Sequence, residues 1–159
     1  MLTTNPFAIL AETIPMIAIQ SFVIIMNDPN NPCIFCKINQ KELIFENDYA
    51  YASSDSYPVS QLHSLVVPKR CIENYFELDE KEILACNDLI KRLKKKIMSE
   101  DKSVEGFNIG TNAGKVAGQS IFHCHIHVIP RRKGDVDNPQ GGVRSVIPSK
   151  QHYTRKIKK

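Results

Sequence analysis

The stretch His123-Cys124-His125-Ile126-His127 constrains this chain more than any other. In an extended strand successive side chains point to opposite faces, so His123, His125 and His127 share one face and Phe122, Cys124, Ile126 and Val128 the other. The next-but-one residues lie roughly 6.8 Å apart, which lines up three imidazoles beside whatever docks there. The chain therefore needs a sheet with one face given to a core and the other to chemistry. The pattern predicts a strand over 121–129.

Other segments supply partners for that strand. Leu43 to Glu46, Tyr49 to Ser53, and Leu62 to Val67 ending at Pro68 read as short antiparallel strands, and Phe107 to Ile109 as another. Asp79-x-x-Glu82 resembles a capping box, and Ile83, Cys86, Ile90, Leu93 and Ile97 recur at three and four residues, predicting one long helix. A glycine-rich loop covers 110–118. Strands, then a helix, then strands indicate an α+β fold with an antiparallel sheet.

With 159 residues, 42% apolar and 24% charged, the chain suits one soluble domain. The turn formers Asp28-Pro29-Asn30-Asn31-Pro32 separate an N-terminal extension, 1–32, from a working domain expected over 33–133, with a tail over 134–159 packing on or near it. The apolar run from Ile14 to Met26 is short for a membrane span and lacks a basic leader. It reads as a packed strand or short helix, or as an upstream extension of a chain whose native start is Met26. The net charge of +4 comes largely from two local runs, at 91–96 and 155–159, without the interleaved aromatic residues that stack bases, so no nucleic-acid partner is expected. Five cysteines, with only Cys33 and Cys36 close together, suit a reducing cytoplasm and metal ligation better than disulfides.

Three readings of the histidine row compete: satisfied polar side chains, a His-x-His metal site, and a nucleophile flanked by helpers. The metal reading leaves Gly118-Gln119-Ser120 without a use. The stretch from Gly118-Gln119-Ser120 through His123-Cys124-His125-Ile126-His127 to Ile129-Pro130-Arg131 resembles the signature of the histidine triad (HIT) superfamily. Asp55-Ser56-Tyr57-Pro58-Val59-Ser60, His63 to Arg70, and Ile34-Phe35-Cys36-Lys37-Ile38 are similar to that family in order and spacing.

The resemblance implies a HIT-like sheet with one long helix and a short N-terminal helix, the sheet continuing across a homodimer. It implies that His125 attacks the α-phosphate of a purine nucleotide to form a nucleotidyl-histidine that water hydrolyses. A neutral imidazole can do this if its other nitrogen is hydrogen-bonded, and a backbone carbonyl is the expected partner. By the same likeness His127 holds phosphate oxygens, Ser120 sits near the leaving group, and His63 assists orientation or proton movement. Asn112, Gly118 and Gln119 contact phosphate, Asp55 accepts from ribose hydroxyls, and Ile34, Phe35 and Ile38 wall the base.

Some family members carry zinc. Cys33, Cys36 and His123 match three ligand positions, and Cys71 stands where the pattern expects histidine. Thiolate and imidazole both suit tetrahedral Zn²⁺, so a structural Cys₃His site is expected. Among hydrolases of the family, Ile129-Pro130-Arg131-Arg132-Lys133-Gly134-Asp135 and the later Gly141-Gly142-Val143-Arg144 resemble the dinucleoside polyphosphate branch, whose longer phosphate chain the extra positive charge would meet. Phosphoramidate hydrolysis, nucleotidyl transfer and a nucleotide sensor or interaction module without useful turnover are the alternatives.

Overall fold

A computed structural model describes residues 33–38 and 40–154. The expected extension 1–32, with Met26, and the last five residues lie outside them. The elements are β1 (Leu43–Glu46), β2 (Ala50–Ser54), β3 (Ser64–Pro68), α1 (Glu80–Glu100), β4 (Val104–Gly110) and β5 (Ile126–Arg132). They form one five-stranded sheet in the order β1-β2-β3-β5-β4, every pairing antiparallel. No described helix is long and apolar enough to cross a membrane.

One face of the sheet is core. Ala50, Ala52, Val66, Ile126 and Val128 meet Cys86, Leu89, Leu93 and Ile97 of α1. Burying each large aliphatic side chain contributes about 2 kcal/mol, and the small Ala50 and Ala52 let the helix approach closely. Asp79 accepts from the Glu82 amide and Glu82 from the Asp79 amide, closing the capping box, which is worth about 1 kcal/mol. Glu82 is buried, and the Arg70 fork binds both its oxygens at 2.8 and 2.7 Å. The strand β3 is thereby tied to the helix start.

The short N-terminal helix expected is a single 3-10 turn, Ile34–Cys36, and one expectation changes. The last strand starts at Ile126, not at residue 121, because β3 ends at Pro68 and the last of its residues opposite this strand is Val66, facing Ile126. Residues 121–125 are held instead by bonds of their own: Cys124 N–H donates to the Ile72 carbonyl (2.7 Å), and His123 Nε2 to that of Pro68 (2.9 Å).

The tail crosses the open face. Arg131 grips Asp135 with two bonds, and Arg132 grips Asp101 likewise. Beyond them Asn138 meets His152 (3.2 Å), Gln140 donates to the Tyr153 carbonyl, and Arg144 donates to the Lys150 carbonyl while lying over the Tyr153 ring. Gly141 (φ +75°) passes so close to the Gln151 carbonyl that a Cβ there would lie 2.1 Å from its oxygen.

Candidate active site

Opposite the helix, the sheet carries Tyr51, Leu65 and Val67 on β2 and β3, with Phe35, Ile38 and Leu43 packed on them. Tyr51 Oη donates to the Phe35 carbonyl (2.7 Å), which sets the Phe35 ring 5.0 Å, centre to centre, from the ring of His125. Burial raises the Tyr51 phenol well above its ordinary range, so it stays a donor. Nothing in the spacing singled out Tyr51; its only signal is one aromatic ring in a strand of alanines and serines. Ile34, expected to share this wall, is 60% exposed.

His125 is buried just before β5. Its Nδ1 donates to the carbonyl of His123 (2.7 Å), so its Nε2 carries the lone pair, the arrangement a nucleophilic imidazole needs. The ring of His127 stands 5.1 Å away at 73°. The Val59 amide donates to His63 Nδ1 (3.3 Å), which leaves the proton of neutral His63 on Nε2, facing His127 Nδ1 at 3.0 Å. His127 then bears its proton on Nε2, a donor suited to an anion. Burial, followed by the neighbouring His125 and His63, lowers the His127 pKa to about 4, and burial lowers that of His63 against the opposing pull of Asp55.

Asp55 lies behind this pair, one oxygen 3.4 Å from His63 Nδ1 and 3.8 Å from His127 Nδ1. Its other oxygen accepts from the Tyr57 amide (2.7 Å), ordinary turn chemistry. The loop before the histidines is shaped by Gly114 and Gly118, both at positive φ. Gln119 is buried and wholly committed to that loop: it accepts from the Gly114 amide and donates to the carbonyls of Glu73 and Ile121. Both amide hydrogens of the side chain are thus used within the protein. Asn112 lies beside Gly118, and Ser120 is exposed.

The four residues expected to hold a metal converge. One donor atom from each of Cys33, Cys36, Cys71 and His123 lies within 4.8 Å of every other. His123 Nδ1 is 3.3 Å from Cys33 Sγ and 3.5 Å from Cys36 Sγ, while its Nε2–H is occupied by Pro68. That outer bond fixes the tautomer with the Nδ1 lone pair aimed at the sulfurs, as in a ligand. Burial, then the sulfurs of Cys71 and Cys33, pushes the Cys36 thiol up to about 12; burial also raises that of Cys71. The Cys36 and Cys71 thiols thus resist ionisation until a cation joins them, after which thiolates are favoured.

Of the basic residues near the histidine row, Arg131 is paired with Asp135 and Arg132 with Asp101.

Residues 37–134 match the HIT domain family. In sequence the chain is 41% identical over 108 residues to an uncharacterized HIT-like protein of Methanocaldococcus jannaschii, covering 65% of this chain and 81% of that one. It is 32% identical over 104 residues to the adenosine 5′-monophosphoramidase of Saccharomyces cerevisiae, covering 63% of each. Among solved structures it is similar to a zinc-bound histidine triad family protein of Mycobacterium smegmatis (TM-score 0.60, 26% identity, 80% of this chain and 84% of that one). It is also similar to the diadenosine triphosphate hydrolase of Plasmodium falciparum (TM-score 0.55, 28% identity, 72% and 82%).

Proposed function

Given that this chain belongs to the HIT domain family, we propose that it is a nucleotide hydrolase in which His125 attacks the α-phosphate. The observation that carries this reading is the Nδ1 bond of His125 to the His123 carbonyl, which leaves Nε2 free to attack. A bond forms between Nε2 and phosphorus as the bond to the leaving group breaks. The leaving atom keeps the electron pair and takes a proton that comes from solvent, relayed by the Ser120 hydroxyl on the family likeness, so Ser120 ends the step protonated. Water then displaces the imidazole, releasing a nucleoside monophosphate. His127 Nε2–H steadies a non-bridging oxygen, and the wall of Phe35 and Ile38 receives the base.

The yeast monophosphoramidase supports a phosphoramidate substrate and the Plasmodium hydrolase a dinucleoside polyphosphate. The paired state of Arg131 and Arg132 favours the first. Cys33, Cys36, Cys71 and His123 would hold Zn²⁺ as a structural ion, supported by their convergence and by the zinc-bound mycobacterial relative. Four protein ligands leave no position for water, so the ion would anchor the peptide whose carbonyl orients His125. A homodimer is the assembly the family suggests.

The test is release of AMP from adenosine phosphoramidate and from diadenosine triphosphate by wild type and His125→Ala. Loss of at least about 10³-fold, with a covalent adenylyl adduct trapped only in wild type, is expected. Equal turnover by both proteins would end the nucleophile reading.

A further inference from the structure

The corner where three sulfurs meet His123 is unevenly covered. Cys36 is buried and Cys33 half-buried, while Cys71, on the loop that leaves β3, is exposed. The Cys71 sulfur nevertheless lies within hydrogen-bonding reach of both other sulfurs. The two remaining cysteines, Cys86 and Cys124, are shut in the core, and all five are free of disulfides. Cys71 is thus the cysteine that combines an open approach from solvent with neighbouring sulfurs ready to react with it.

The backbone on either side of Cys71 is fastened to the histidine stretch. The Pro68 carbonyl accepts from His123 Nε2 (2.9 Å), and the Ile72 carbonyl accepts from the Cys124 amide (2.7 Å). His123 in turn holds His125 Nδ1 with its own carbonyl (2.7 Å). A change at the Cys71 sulfur therefore reaches, through bonds before and after it, the peptide that orients His125.

Resting on the Zn²⁺ reading above, we propose that Cys71 is an oxidation site, whose modification by a peroxide releases the metal. A cysteine sulfur held by a cation is a thiolate, and oxidation follows thiolate character and exposure. The Cys71 thiolate attacks one oxygen of hydrogen peroxide; the O–O bond breaks, a sulfenic acid forms and hydroxide departs. The sulfur of Cys33 or Cys36 then attacks the sulfenic sulfur, the S–O bond breaks with loss of a second hydroxide, and a disulfide forms. Two thiolates give up two electrons, one peroxide takes them, and the hydroxides become water with protons from solvent. The remaining cysteine and His123, two donors where four had been, no longer retain Zn²⁺. A dithiol reductant reverses the disulfide by exchange and lets the site refill.

The experiment follows metal and thiols, so its outcome does not depend on turnover. Zinc-loaded wild-type protein is treated with hydrogen peroxide; a chromogenic chelator reads the zinc released, dimedone traps sulfenic acid, and peptide mapping locates adducts and disulfides. Release of about one zinc per chain is expected, with oxidation at Cys71 and a disulfide from Cys71 to the Cys33–Cys36 turn. Cys71→His keeps four ligands without the exposed sulfur, and should release its zinc at least about tenfold more slowly. Oxidation of Cys33 or Cys36 in wild type with Cys71 left as a thiol overturns the proposal, whatever the variant does. Undiminished release from zinc-loaded Cys71→His, or a disulfide joining two chains through Cys71, overturns it as well. Wild type that takes up no zinc ends the metal reading and this inference with it, whereas zinc retained under peroxide overturns this inference alone.

Discussion

His63 Nε2 stands 3.0 Å from His127 Nδ1, and with the Val59 amide on its far nitrogen this contact decides which nitrogen of His127 carries the proton. Replacing His63 by Ala frees that choice, and kcat is expected to fall about 10- to 100-fold with KM little changed. His63→Gln, which keeps a donor toward His127, should recover part of the loss. A purely structural role for His63 would show equal losses in both variants.

Acid should destabilise the fold through His127. Its folded pKa of about 4 lies below the ordinary 6.5, so between those values the unfolded chain takes up a proton that the folded chain refuses. Stability is therefore full above about pH 6.5 and declines as pH falls toward 4. In His127→Gln the urea midpoint should decline less over that window; an identical decline would contradict the assignment.

Removing the metal should reach the nucleophile. Protein purified without chelator is expected to contain about one zinc per chain, and Cys36→Ser to contain little. Because His123 offers its ring to the sulfurs and its carbonyl to His125, loss of zinc should lower kcat as well as the melting temperature. Metal-free wild type with undiminished kcat would separate the two roles of His123.

Arg70→Ala would leave the buried Glu82 carboxylate with only the Asp79 amide. Breaking a buried pair costs about 3–5 kcal/mol; because the Arg70 side chain is itself 40% exposed, a loss of about 2 kcal/mol is expected, read from chemical denaturation. Glu82→Gln, which keeps the cap and one acceptor, should lose less.

Gly141→Ala sets a methyl group against the Gln151 carbonyl at a positive φ. The strain, about 1–2 kcal/mol, falls on the tail, so proteolysis within 138–153 should quicken while the main unfolding transition moves little.

Much of this was legible in the sequence. The β1 strand and the capping box fall where composition and spacing put them, because local preferences decide both. The start of β5 does not, since alternation cannot reveal whether a neighbouring strand lies opposite; Pro68 removes that neighbour, and side-chain bonds take over at His123. The convergence of Cys33, Cys36, Cys71 and His123 was legible because the resemblance gave their order, whereas the cavity beside the tail was not. It depends on a fold-back in which Gly141 meets Gln151, and on Asp101 reaching Arg132 across 31 residues. No local pattern records such distances.

The pairing of Arg131 with Asp135 and of Arg132 with Asp101 bears on how substrate arrives. A site lined with unpaired cations gathers anions from afar, and its capture rate collapses as the screening length shrinks from about 30 Å at 0.01 M salt to about 8 Å at 0.15 M. Here both guanidiniums are already answered by carboxylates, so neither adds an unpaired charge beside the histidines. If the proposed nucleotide is the substrate, kcat/KM should fall less steeply with ionic strength than it would with those two cations unpaired.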